Sequence, residues 1–191
     1  MFSFCYRNRI KVLLLFFVLI LVSCNNVQAV RNYTEIDAPD EISARAYEFA
    51  EIYADSDTVY EWGGQDPVRK VIHIDCSGLI VMCYKYAMVD TPYILLKPDM
   101  ASNYIYQNAT TIINCNELKK GNLILMGEAN SNQITHIGIF EKEQNDIIYF
   151  IDSTQKDTNG DGINDIDGVT RRQYNKNDER FKAFGRMRVK F

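Results

Sequence analysis

The apolar pattern of this chain changes period once, and that switch limits its fold more than any other feature. Between residues 40 and 90 the apolar side chains recur at helical spacing, with Ile42, Ala46, Phe49, Ala50 and Tyr53 following i, i+4, i+7, i+8. Asp40 is placed to cap this helix, which ends near Asp55. A second, buried helix starts at Cys76 and ends near Val89-Asp90, before Thr91-Pro92; a polar, tyrosine-bearing stretch at 99–107 predicts a short third one. From residue 118 onward the apolar residues come in short runs between turns. Leu118-Lys119-Lys120-Gly121-Asn122 is a turn, and 123–126, 134–140, 147–151, 169–174 and 186–191 read as strands, with a polar turn at Gln144-Asn145-Asp146. Helices followed by a meander of about five antiparallel strands make the domain α+β.

Chemistry concentrates where the second helix begins, at Asp75-Cys76-Ser77-Gly78. A cysteine at a helix entrance lies among unpaired backbone N–H groups and the positive end of the helix dipole, both of which favour thiolate, the nucleophilic form. Asp75 is a good N-cap, and Gly78 lets other chain approach the first turn closely. The other two thiols of the domain, Cys83 and Cys115, read as a core filler and a loop residue, with a bridge between them left open.

The base that such a thiol needs is His136, one of two histidines, in Thr-His-Ile-Gly-Ile-Phe. The other, His73, reads as loop surface. A third group should hold the imidazole by its second nitrogen. A hairpin turning at 144–146 places roughly residues 152–155 opposite His136 by antiparallel pairing, which makes Asp152 the leading candidate ahead of Ser153 and Gln155.

The N-terminus carries a targeting pattern. Arg7, Arg9 and Lys11 precede an apolar run at 12–22, too short to span a bilayer but suited to a secretory signal. Leu21-Val22-Ser23-Cys24 resembles a bacterial lipobox, which implies acylation of Cys24 and anchoring in the cell envelope outside the cytoplasm; simple secretion with cleavage after Val27-Gln28-Ala29 is the alternative. Loss of 1–23 removes three basic residues and no acidic one, leaving 18 basic against 25 acidic side chains, a net of −7. That balance is unsuited to tracking nucleic acid. Residues 24–38 are expected as a tether, and 39–191 as one domain with a single core, a monomer.

Four motifs in order resemble those of the NlpC-type cell-wall cysteine peptidases, which are papain-like. They are Tyr60-x-Trp62-Gly63-Gly64, Asp75-Cys76-Ser77-Gly78-Leu79, Gly121-Asn122-Leu123 where the family usually has Gly-Asp-Leu, and His136-Ile137-Gly138-Ile139-Phe140; Gly168-Val169 and Arg186/Arg188 also fit. The resemblance covers most of 40–191. It implies Cys76 as nucleophile and His136 as base, with Tyr60 near the thiol. Trp62 and Ser77 join Tyr60 on the substrate side, although Trp62 is also expected to pack under Gly63-Gly64. The third position, usually histidine in the family, aligns with Asp152. The implied substrate is a peptidoglycan stem peptide, commonly cut between D-glutamate and a diamino acid, with no catalytic cofactor. An amidase or acyltransferase on the same scaffold, or a non-catalytic wall-binding lipoprotein, are the rival readings.

One motif lies apart from this set. Asp157, Asn159, Asp161 and Asp165 fall at positions 1, 3, 5 and 9 of a calcium loop with Gly162 at position 6. Position 12 is Gly168 rather than the bidentate glutamate of an EF-hand, so a structural calcium and a solvated Asn/Asp/Gly turn are both readings of it.

Overall fold

The computed structural model describes residues 33–65 and 70–191. The signal segment, Cys24 and the alternative cleavage site lie outside the described residues. Three α-helices occur among them: α1 (Asp40–Ala54), α2 (Cys76–Ala87) and α3 (Ser102–Asn108). The strands are β1 (Glu35–Asp37), β2 (Thr58–Val59), β3 (Ile72–His73), β4 (Ile94–Leu95), β5 (Thr110–Ile113), β6 (Leu123–Met126), β7 (His136–Gln144), β8 (Ile147–Lys156), β9 (Ile166–Asn175) and β10 (Phe181–Lys190). No described helix is long and apolar enough to cross a membrane.

Helix α1 buries Ile42, Ala46, Tyr47, Ala50 and Tyr53, the stripe that its spacing predicts, with Phe49 half-buried against Tyr86. Asp40 is not the cap: Pro39 holds that position, and the Asp40 carboxylate pairs with Lys119 Nζ at 2.5 Å. The buried stripe packs on α2, which in turn packs on β7 and β8. Helix α2 is apolar nearly all round, as befits a helix covered on every side, and Leu79, Ile80, Val81, Cys83 and Tyr84 are fully buried. Each large apolar side chain buried this way stabilises the fold by about 1.5–3 kcal/mol. The Tyr84 hydroxyl donates to the carbonyl of Gly121 at 2.9 Å, tying the helix to the turn before β6.

Strands β1, β10, β6, β7, β8 and β9 form one antiparallel sheet in that order, and β4 and β5 also pair with β10. The five strands that the sequence pattern marks are β6 to β10. The three extra ones hold two to four residues each, too few to show an alternation, and pair along the ten-residue β10. Strand β1 falls inside the stretch expected as a tether, yet it pairs with β10, so Glu35–Asp37 belong to the folded domain. One face of the sheet meets the helices through Leu123, Leu125, Ile137, Ile139 and Ile151. The other carries a second cluster of Ile124, Met126, Phe140, Ile148 and Phe150, with Tyr174, Phe181 and Phe184 packed against it. The β7–β8 hairpin turns through Asn145 and Asp146, both at positive φ, with Gln144 paired to Ile147. That is the two-residue turn whose twist matches the strands it joins.

Candidate active site

Asp75 builds the entrance to α2. Its backbone is extended, and Oδ1 accepts from the N–H of Gly78 at 2.6 Å and from the Ser77 hydroxyl at 2.9 Å. Oδ2 accepts from the N–H of Gly63 at 2.8 Å, so one carboxylate both caps the helix and moors the Tyr60–Gly64 loop beside it. The close approach expected at Gly78 is present: a Cβ there would come within 2.1 Å of the Gly64 carbonyl oxygen. Among the described residues, no acceptor is paired with the N–H of Cys76 or of Ser77. Cys76 itself is 5% exposed and free.

Facing it is His136, the first residue of β7. Its Nε2 is 2.5 Å from Oδ2 of Asp152, and the Cys76 thiol lies near enough to the ring to favour its charged form. Asp152 lies on β8, fully buried, and reaches the ring past Gly138. A Cβ at 138 would come 3.0 Å from the Phe150 ring and 3.3 Å from Cβ of Asp152, so the bare glycine leaves the path between carboxylate and imidazole open. Burial alone would push the His136 imidazolium toward losing its proton. The hydrogen bonds to Asp152 and Cys76, and the charges behind them, outweigh burial and hold the ring up to about 9. Burial raises the Asp152 carboxyl, but His136 and Arg172 together bring it below its usual range.

Arg172, on β9, is the residue that sequence reasoning missed. Its Nε donates to Asp152 Oδ1 at 2.8 Å, and its Nη2 donates to Oδ2, the oxygen that faces His136. Nη2 also lies 3.3 Å from His136 Nε2, a proximity of charges rather than a hydrogen bond, because Nε2–H is already turned toward Asp152. The signal for Arg172 was register. Asp152 pairs with Thr170 and Phe150 with Arg172, which makes Arg172 the diagonal neighbour of Asp152 across two strands.

Two clefts flank the pair. One, of about 330 Å³, is lined by Tyr60, Trp62, Cys76, Ser77, Asp99 and Tyr104. The other, of about 430 Å³, is lined by Glu128, His136, Lys156, Arg172, Tyr174 and Arg180; Thr135 borders both. Tyr60 therefore faces the thiol side, where burial and the charges on Cys76 and Asp75 push its phenol up. Trp62 does not pack under Gly63-Gly64. It is 85% exposed at the cleft mouth, because the Gly63–Asp75 bond already holds the loop without it.

The remaining candidates are placed elsewhere. His73 pairs with Glu61 at 2.8 Å on the surface. Ser153 donates to the Ile74 carbonyl at 2.6 Å and Gln155 is exposed, which leaves Asp152 alone beside His136. Cys83 and Cys115 are both free, so the bridge left open between them is not formed, and burial pushes the Cys83 thiol far up. Asp157, Asn159, Asp161 and Asp165 share the exposed turn between β8 and β9. Asp157 accepts from the N–H groups of Asn159, Gly160 and Gly162, Asn159 from Asp161, and Asp161 from Ile163. No group of three or more His, Cys, Asp or Glu side chains among the described residues is arranged to hold a metal ion.

A family model described as NlpC/P60 family matches residues 57–177, a stretch that contains Cys76, His136, Asp152 and Arg172. Comparison with curated proteins gives no match. Among solved structures, NlpC1 from Trichomonas vaginalis aligns with a TM-score of 0.51 at 18% identity, over 84% of this chain and 49% of its own. A Staphylococcus aureus protein described as similar to lipoprotein, NLP/P60 family, aligns with a TM-score of 0.49 at 22% identity, over 83% of this chain and 45% of its own. The chain thus spans about half the length of the solved structures it matches. The fold is the α+β, papain-like one that the four motifs led us to expect.

Proposed function

Because the chain belongs to the NlpC/P60 family, whose theme is cell-wall peptide hydrolysis, we propose that it is a cysteine peptidase acting on peptidoglycan stem peptides. The bond we assign is the one between D-glutamate and the diamino acid. One observation carries this reading: the helix-entrance thiol of Cys76 lies beside an imidazole whose Nε2 is held by a buried carboxylate.

The chemistry follows from that geometry. His136 takes the proton of Cys76, and the thiolate sulfur attacks the amide carbonyl carbon. The N–H groups of Cys76 and Ser77 are placed to receive the oxyanion. As the intermediate collapses, the C–N bond breaks and the His136 imidazolium gives its proton to the departing amine, leaving a thioester. Water then enters, His136 removes its proton, and the C–S bond breaks to release the carboxylic acid and restore the thiol. Asp152 keeps the ring oriented through both halves. Tyr60, Trp62 and Ser77 would contact the acyl side of the peptide in the smaller cleft.

Acylation of Cys24 would tether this activity in the cell envelope. Calcium at the 157–165 turn is a separate, structural proposal. It is supported by the spacing of Asp157, Asn159, Asp161 and Asp165 around Gly162 in the sequence, and it has no part in any step above. Titration calorimetry with millimolar calcium should give heat that Asp157→Asn abolishes, and an absence of heat removes the ion from the account.

Digestion of purified sacculi and of a synthetic stem peptide, with products identified by mass, tests the function. Wild type should release fragments ending at D-glutamate, and Cys76→Ala should release none. Cleavage that survives the substitution would refute the assignment, and transfer of the acyl group to an amine in place of water would redirect it to an acyltransferase.

A further inference from the structure

The geometry points to Arg172 as a positioning residue of the catalytic group: it locks the Asp152 carboxylate onto His136 and offsets that carboxylate's charge. The inference rests on the Cys76–His136 pairing of the proposed function.

A lone carboxylate 2.5 Å from an imidazole, with no exposure to water, would grip the imidazolium proton tightly. That grip stabilises the imidazolium and makes its other N–H, the one that gives a proton to the leaving amine, a weaker acid. Arg172 divides that grip, because Oδ2 accepts from its guanidinium as well as facing the ring. The fork of Nε and Nη2 takes both carboxylate oxygens, the planar match that arginine makes and lysine does not. Asp152 and Arg172 together carry no net charge, so the imidazolium faces an oriented dipole rather than a bare anion.

The clamp is itself fixed. Arg172 is 10% exposed, its Nη1 donates to the Tyr174 hydroxyl at 2.6 Å, and its guanidinium carbon lies 5.3 Å from the ring centroids of both Phe150 and Tyr174. Joining β8 to β9 does not require it, because those strands already pair from Ile147↔Asn175 to Lys156↔Ile166. A buried ion pair is in any case weak evidence of a stabilising role. Among the described residues, the charged and titratable groups around the ring are Cys76 from α2, Asp152 from β8, Arg172 and Tyr174 from β9, and Glu128, Lys156 and Arg180 across the shared cleft. Arg180 is paired with Asp178 at 2.7 Å. Among the described residues, Arg172 is the one cation that contacts both members of the His136–Asp152 pair.

The test is an NMR titration of the His136 ring in wild type and four variants, combined with kcat and KM on a stem peptide. In Arg172→Gln the unshared carboxylate should raise the titration midpoint by about one pH unit and lower kcat at least tenfold, with KM little changed. Arg172→Lys should keep the midpoint near wild type yet recover kcat only in part, because the fork is lost. The double variant Asp152→Asn/Arg172→Gln buries no lone charge. Its midpoint should stay closer to wild type than that of Asp152→Asn alone, by about one unit. A midpoint unmoved by Arg172→Gln overturns the proposal. If that variant does not fold, coincident midpoints for the double variant and Asp152→Asn overturn it instead. The titration needs no substrate, so failure to cleave stem peptides would count against the function and leave this result standing.

Discussion

Among the described residues a histidine meets a carboxylate twice, in two very different places. On the surface at β3, His73 meets Glu61 at 2.8 Å with both side chains about half exposed. At the head of β7, His136 meets Asp152 at 2.5 Å with the carboxylate fully buried. Water screens the first pair, whose worth is about 0–1 kcal/mol and falls with salt. Around the second, strands and helix exclude water, so each charge and hydrogen bond changes which groups hold protons. A histidine and a carboxylate at hydrogen-bond distance are therefore not by themselves a candidate for catalysis; burial and the thiol alongside set His136 and Asp152 apart.

The sharpest way to break this contrast is to delete each histidine. His136→Ala should lower stem-peptide turnover by about 10³-fold or more, whereas His73→Ala should leave it within about twofold, measured as initial rates. Equal losses would erase the distinction.

Removing each carboxylate's charge comes next. The His136 proton is retained up to about pH 9, so kcat/KM should fall as pH rises through that value. Asp152→Asn takes away a charge that favours imidazolium; its alkaline limb should move down toward the ordinary 6.5, with a loss of about 10–100-fold at pH 8. Glu61→Gln should leave the profile unchanged.

Stability should show the same asymmetry more weakly. Asp152 has a folded value below its ordinary 3.8, so its contribution is present above 3.8 and lost as pH falls through the lower folded value. His136 is raised, so its contribution is complete below 6.5 and lost as pH rises through about 9. Urea midpoints across pH should drop at both ends in wild type. Asp152→Asn should flatten both limbs, and Glu61→Gln neither. The smallest effect is expected from Gly138→Ala, whose added methyl crowds Phe150 and Asp152 and should cost activity a few-fold.

Much of the candidate site was legible before the structure. The helix beginning at Cys76, the hairpin turn at Asn145-Asp146 and the window containing Asp152 all follow from local rules: capping, turn chemistry and a period of two. Arg172 does not, because its role depends on how β9 registers against β8 across the long turn at 157–165. The irregularity in β7 between Phe140 and Lys142 is equally silent in the pattern, though it shifts which residue lies opposite which. Trp62 misleads for another reason: large aromatics are usually buried, and nothing local shows that Asp75 has already secured the loop beneath it.

The central claim is that place, not residue type, makes Cys76 the reactive thiol. Iodoacetamide labelling at pH 7, followed at Cys76, Cys83 and Cys115 separately by peptide mass, tests it directly. Cys76 should be modified well ahead of the other two, and His136→Ala should slow its labelling at least tenfold while leaving Cys83 and Cys115 as they were. Slow labelling of all three thiols at similar rates, unchanged by His136→Ala, would contradict the claim.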